Sequence, residues 1–281
     1  MSRVISCDEL VSSGLLNRIT DGLMQFTVGF VKLVDDVGGK EDMQYAGSGT
    51  LVKTRGQFAI LTADHVLQNQ TRNKIGLTFP GIKGSNPHRF FLNIDESQKL
   101  RIGPSSDNPE GPDLGLLLLH NTDAVKIEVY KAFYNLSNRC EQMRQPRSVD
   151  AGGWFLCGGV DEWTTDGQPE HPFTKVKVFR GLCGAGVVGI ERADEQFDYL
   201  DFEVAVNEQY EGPLSFKGVS GGGLWQVVLK DHEGEVEIAD SLLSGVAYYQ
   251  IILDGKPQKV ICHGRRSIYE TVVGVLETNA S

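Results

Sequence analysis

The chain has 281 residues, enough for one large β domain or for two domains of about 100 to 150 residues, with a sizeable core either way. Its 33 glycines, 10 prolines and 23% charged residues describe a globular protein with many turns and exclude a disordered chain. A formal net charge of -10, with no Lys/Arg cluster longer than Arg265 and Arg266, argues against a nucleic-acid partner or an acidic membrane surface.

The first residues, MSRVISCDELVSSGLLNRIT, place Asp8 and Glu9 where a secretory signal needs an apolar run. No stretch approaches the ~20 apolar residues of a membrane span. Cys7, Cys140, Cys157, Cys183 and Cys262 are odd in number and form no C-x-x-C pair, so neither a disulfide framework nor a zinc knuckle is expected. The expected location is the cytoplasm.

Asp8 and Glu9 can charge the first turn of a helix running to about residue 23, with Leu10, Val11, Leu15, Ile19 and Leu23 on one side. Six strands then follow at 26–34, 47–54, 57–63, 74–79, 89–94 and 114–120, each short, apolar and bounded by turn residues. Residues 121–148 are polar and mixed and read as a connector. The strand rhythm returns at 152–159, 175–190, 199–206, 222–229 and 241–253. A closing helix at 265–277 carries Ile268, Tyr269, Val272, Val273 and Leu276 at helical spacing. The expected units are a helical extension (1–25), a first β-barrel (26–125), a connector (126–148), a second β-barrel (149–264) and a terminal helix (265–281). Both helices read as docking struts.

Three places carry chemistry. The strand AILTA runs straight into DHVL, which puts His65 at the exposed rim of a strand, where a lone histidine is most often a plain surface residue. Asp113 stands at the mouth of the apolar run LGLLLL; it reads equally well as a strand-start turn residue or as a buried orienting carboxylate. Ser220 sits in FKGVSGGGLW, where Gly218, Gly221, Gly222 and Gly223 allow either a hairpin or a sharp turn presenting one hydroxyl beside free backbone N–H groups. A histidine, an aspartate 48 residues later and a glycine-flanked serine 107 residues beyond it together form the set that nucleophilic catalysis needs: base, orienting group and attacking group.

In these motifs, taken in order from GSGTLV and ILTADHVL through DLGLLLL to GVSGGGLW, the chain resembles the trypsin-like (chymotrypsin-fold) serine proteases over residues 26 to 253. The resemblance implies an all-β fold of two six-stranded antiparallel β-barrels, with N- and C-terminal helices added here and the site in the cleft between barrels. It implies a serine endopeptidase with Ser220 as nucleophile, His65 as general base and then acid, and Asp113 holding the imidazole. The backbone N–H groups of Gly218 and Ser220 would form an oxyanion hole. The segment Gly245, Val246, Ala247, Tyr248, Tyr249 and Gln250 resembles the strand that pairs with an extended peptide substrate. Leu214 stands where the trypsin subclass places an acid, and Gln250 at a pocket wall often made by glycine, so small or apolar side chains are expected before the cut bond and not Lys or Arg. No cofactor and no metal are implied.

Val219 precedes the serine where secreted members usually carry Asp, whose pairing with a new N-terminus completes their site. The chain therefore looks closer to the intracellular or HtrA-like branch, and an activating protein partner or a narrow substrate range is expected to restrain it, as in bacterial stress or phage defence. One alternative keeps the fold without the reaction, as a peptide- or protein-binding module. Another takes Cys183 in RGLCGAG as nucleophile, against which stand the nearly 100 residues that follow it; a small thiol in a glycine-rich strand is the plainer reading. A metallohydrolase would need spaced ligands, whereas His88, His120, His171, His232 and His263 are scattered.

Overall fold

The structure is a computed structural model, which describes residues 12–35, 41–70, 74–80, 89–93, 97–105, 111–145, 152–167, 177–205, 212–232, 235–253 and 256–279. After helix α1 (Leu15–Met24) come β1 (Thr27–Asp35), β2 (Glu41–Lys53), β3 (Phe58–Thr62), the one-turn helix α2 (Asp64–Gln68), β4 (Lys74–Thr78), β5 (Arg89–Asn93), β6 (Gln98–Gly103) and β7 (Leu114–Leu119). These strands form one sheet in the order β5-β4-β1-β2-β3-β7-β6. Every residue of β7 is buried. The unbroken leucine run is thus a strand covered on both faces, not one alternating between core and water.

The second half holds β9 (Gly153–Gly159), the short pair β10 (Thr165–Asp166) and β11 (Lys177–Val178), β12 (Gly181–Ala193), β13 (Asp198–Val204), β14 (Gly223–His232), β15 (Glu235–Leu253) and β16 (Lys256–His263). Six of them close into a barrel in the order β12-β13-β16-β15-β14-β9. The protein is an all-β double-barrel fold of curled antiparallel sheets with few helices.

Three elements depart from the sequence expectation. The first sheet gains β6, whose Gln98, Lys99 and Arg101 hide its strand character, since only Leu100 and Ile102 among its large side chains pack against the core. The barrel gains β16, which begins Lys-Pro and is drawn in by pairing with both β13 and β15. The connector is not irregular: it folds as α3 (Asn121–Glu128), a two-residue strand β8 (Tyr134–Asn135) parallel to β2, and α4 (Cys140–Arg144).

Leu15, Ile19 and Leu23 of α1 are buried, as that helix lies on β9, β12 and β15. Leu10, Val11, Asp8 and Glu9 fall outside the described residues. The terminal helix runs through a π-helical turn (Ser267–Val272) into α5 (Val273–Asn279), with Ile268, Tyr269, Val272, Val273 and Leu276 buried as their spacing requires. One apolar cluster runs through both halves and both helices, and a smaller one fills the barrel. At the seam, Phe26 stacks on Trp225 at 5.3 Å, and Tyr134 meets both edge-on at 5.6 and 5.1 Å. That trio joins the first strand's entry, the connector and β14. Among the described residues no helix is long and apolar enough to cross a membrane.

Candidate active site

His65 is placed by its neighbour. Asp64, fully buried at the start of α2, accepts from Arg101 Nε at 3.0 Å, Arg101 Nη2 at 2.9 Å and Ser105 N–H at 2.9 Å, and also from the Gln68 amide. Burial alone would raise its pKa, but the Arg101 hydrogen bonds, aided by Ser105 and Gln68, hold it below the ordinary carboxylate value. The helix start is thereby fastened to β6, and His65 is left on the rim, partly exposed.

Asp113 arrives by register. β3 and β7 pair up to Thr62 opposite Gly115, so the helix α2 that follows β3 and Asp113 just before β7 come together at the same end of the sheet. Asp113 Oδ1 accepts the His65 backbone N–H at 3.0 Å, and its Oδ2 lies 2.5 Å from His65 Nδ1. A carboxylate can only accept here, so in the neutral imidazole the proton sits on Nδ1 and the lone pair on Nε2. The Asp113 N–H in turn donates to Nε2 of His263 at 3.1 Å. His263 lies at the end of β16, fully buried among the rings of Tyr248, Tyr199 and Phe197, and burial lowers its pKa to about 3. It therefore works as a neutral acceptor.

Ser220 sits in the second of two linked turns. Val219 N–H donates to Phe216 O at 3.0 Å and Gly222 N–H to Val219 O at 2.7 Å. Each turn has glycine at its third position, with φ of 97° at Gly218 and 89° at Gly221, a region that side chains with a Cβ rarely enter. At Gly221 a Cβ would also stand 2.0 Å from Ser48 O. The N–H groups of Val219, Gly221 and Gly222 are all bonded to backbone carbonyls, whereas among the described residues those of Gly218 and Ser220 have no hydrogen-bond partner. Two adjacent free donors beside a hydroxyl suit a developing oxyanion.

The loop is held from across the seam by Ser48 of β2. Its hydroxyl donates to Gly218 O at 2.6 Å and accepts from Gly159 N–H at 2.8 Å, and its own N–H donates to Ser220 O at 2.7 Å. Tyr45 OH lies 3.1 Å from the same hydroxyl, and Thr62 Oγ1 donates to Ser48 O at 2.6 Å. Val219 is buried in the barrel's cluster, an apolar anchor in place of an ionic one. Ser220 Oγ itself donates to Tyr248 O at 3.3 Å.

His65, Asp113, Gly218 and Ser220 line one cleft of about 1170 Å³ together with Ala247, Tyr248, Tyr249 and Gln250. β15 pairs with β14 up to Val246 and Gly223, Ala247 then bonds to Gly221 and Gly222 of the turn, and beyond it β15 pairs only with β16, so one edge of 248–252 stays open to the cleft. Gly245, paired with Leu224 of β14, and Val246, paired on both sides, do not line it. Leu214 does not line it either: it is 77% exposed, with its N–H donating to Glu162 Oε1 at 2.7 Å. Gln250 bridges the two walls, its Oε1 accepting from Phe216 N–H at 2.7 Å and its Nε2 donating to Ser215 Oγ at 3.1 Å.

Cys183 is absent from the cleft lining and pairs in register with Cys157. His120 caps α3, His232 ends β14, and His88 and His171 lie outside the described residues. Ser48, Asp64 and His263 were not singled out as parts of the site from sequence. Ser48 was visible only as the variable letter of GSG, Asp64 as the one charge wedged between an apolar strand and His65, and His263 as a histidine closing the apolar run VIC.

The class defined by the strands is the all-β double barrel. No family model matches the chain, and comparison with curated proteins gives no match. Among solved structures the chain is similar to the HtrA-type protease AlgW with decapeptide, in a substituted form at 13% identity and a TM-score of 0.43, covering 94% of this chain and 67% of that one. A further AlgW structure with decapeptide is 14% identical, with a TM-score of 0.42, covering 92% of this chain and 67% of that one.

Proposed function

We propose that the protein is a serine endopeptidase that hydrolyses peptide bonds through Ser220, His65 and Asp113. The observation that carries this reading is the His65–Asp113 pair, bonded at Nδ1 and at the backbone N–H, in one cleft with a glycine-flanked serine and two free N–H donors. Nε2 of His65 takes the Ser220 proton as Oγ attacks the scissile carbonyl, and the oxyanion is received by the N–H groups of Gly218 and Ser220. The imidazolium, stabilised by Asp113, then protonates the leaving amine, and water releases the acyl group by the same route. An extended peptide adds to the open edge of β15 at Tyr248–Gln250.

The side chain before the cut bond enters between the 215–220 wall and the 247–250 wall. Because the Gln250 amide closes that slot, we take small residues as preferred and Lys or Arg as disfavoured; a peptide library cleaved mainly after Lys or Arg would overturn this. The reading includes restraint by a protein partner, since at rest the Ser220 hydroxyl is engaged by Tyr248 O and not by His65. The same contact favours the second reading, a peptide-binding module without turnover. The reading includes a reducing, cytoplasmic setting, supported by an odd cysteine count with no C-x-x-C pair.

Labelling of the purified protein with a fluorophosphonate, beside Ser220→Ala and with or without host lysate, separates the readings. Ser220-dependent labelling of the isolated protein is expected of a self-sufficient protease, and labelling only with lysate of a gated one. Absence of labelling in both conditions would leave the binding module.

A further inference from the structure

Two thiols that take no part in the site lie against each other. Cys157 of β9 and Cys183 of β12 are directly opposed on antiparallel strands, with their Sγ atoms 3.3 Å apart and both free. Opposed residues on such strands have Cα atoms about 4.5–5.5 Å apart, within the roughly 4.4–6.8 Å that a disulfide bridges. Joining them asks for side-chain rotation and little backbone movement.

The two sulfurs differ in what reaches them. Cys157 is fully buried, and burial, with the neighbouring Cys183 adding to it, pushes its thiol well above the ordinary value. Cys183 is only partly buried, so a small oxidant meets it first. The remaining described thiols lack this arrangement: Cys140 Sγ faces Tyr269 O at 4.0 Å, and Cys262 is sealed in the barrel cluster.

We propose that Cys157 and Cys183 form an oxidation site at which a peroxide installs a cross-strand disulfide between β9 and β12. Cys183 sulfur attacks one peroxide oxygen; an S–O bond forms, the O–O bond breaks, and the other oxygen leaves as water once protonated. The sulfur is oxidised to a sulfenic acid and the peroxide is reduced. Cys157 sulfur then attacks Cys183 sulfur, the S–S bond forms, the S–O bond breaks, and the hydroxyl departs as a second water with the Cys157 proton. Two thiols and one hydrogen peroxide thus give one disulfide and two waters. The cross-link lies behind the nucleophile turn: a Cβ on Gly222 would stand 2.2 Å from Cys157 O.

The test uses the full, reduced chain, treated with hydrogen peroxide, then unfolded, alkylated and mapped by mass after trypsin. Cleavage after Lys177 and Arg180 separates the two cysteines, so a disulfide appears as one linked species lighter by two hydrogens. The expected result is loss of two of the five thiols, with the linked species absent from both Cys183→Ser and Cys157→Ser. Oxidation of Cys183 to a sulfinic acid with Cys157 still reduced would overturn the proposal. So would survival of both thiols, or a two-thiol loss that persists in Cys183→Ser. The wild-type map decides the matter even if a variant folds poorly, and it reads no enzymatic activity, so it stands or falls apart from the protease reading.

Discussion

The His65–Asp113 pair and the Ser220 turn are built by opposite strategies. His65 and Asp113 come from one sheet, brought together by the β3–β7 register and fixed locally by Asp64 and Arg101. The Ser220 turn belongs to the barrel, yet it is held from both halves. Ser48 grips the carbonyls of Gly218 and Ser220 on one side, while Gly221 N–H and Ala247 N–H bond to Ala247 O and Gly222 O on the other. A pair made within one sheet can form as soon as that sheet does. A turn braced across the seam has its final shape only when the halves dock.

The comparison is sharpened most by breaking the pair. Asp113→Asn is expected to lower Ser220 labelling and peptide turnover by about 10⁴-fold, the loss known for the same change in a serine-protease triad, with the fold unchanged by circular dichroism. A fall below tenfold would show that Asp113 does not orient His65. Breaking the brace comes next. Ser48→Ala strands Gly159 N–H and Gly218 O, each costing about 1–3 kcal/mol when left unpaired. It should lower the urea midpoint and reduce labelling roughly 10- to 100-fold, the rate equivalent of about 1.4–2.7 kcal/mol. A variant equally stable and equally labelled would remove Ser48 from the site.

The smallest expected effect concerns His263 and acid. Its folded pKa, near 3, lies below the ordinary 6.5, so the unfolded chain binds the extra proton between those values. Its contribution is complete above 6.5 and lost as the pH falls toward 3. Urea midpoints taken from pH 7 to pH 4 should fall less steeply in His263→Gln than in the parent protein. Equal slopes would mean that His263 is charged in the folded state or exposed to water.

The legible parts of the site were those that depend on residue type. His65, Asp113, Ser220 and Gly218, which line one cleft, could be picked out because a strand end, a strand start and a glycine turn are local events. Illegible were the parts that depend on which edge remains open. Nothing in GVAYYQ marks where β15 parts from β14, so Gly245 and Val246 could not be told from Ala247 and its successors. Leu214, reached by an ungapped count back from the serine, is exposed and outside the cleft lining, and such a count carries no information on loop direction. β6 and β16 were missed because their strand state is imposed by partners and not by apolar alternation.

The sequence by itself determined the all-β character, the two-part layout, the amphipathic helices at either end and the order of the chemistry-bearing residues. These follow from hydrophobic period, turn residues and glycine placement, which act within a few positions of the chain. Tertiary structure alone decided that β2 would lend Ser48 to the other half's turn, that His263 would stand neutral behind Asp113, and that Cys157 would meet Cys183. Each of these contacts joins residues 26 to 170 positions apart. Only sheet register and barrel closure fix such distances, and neither is encoded in any single segment.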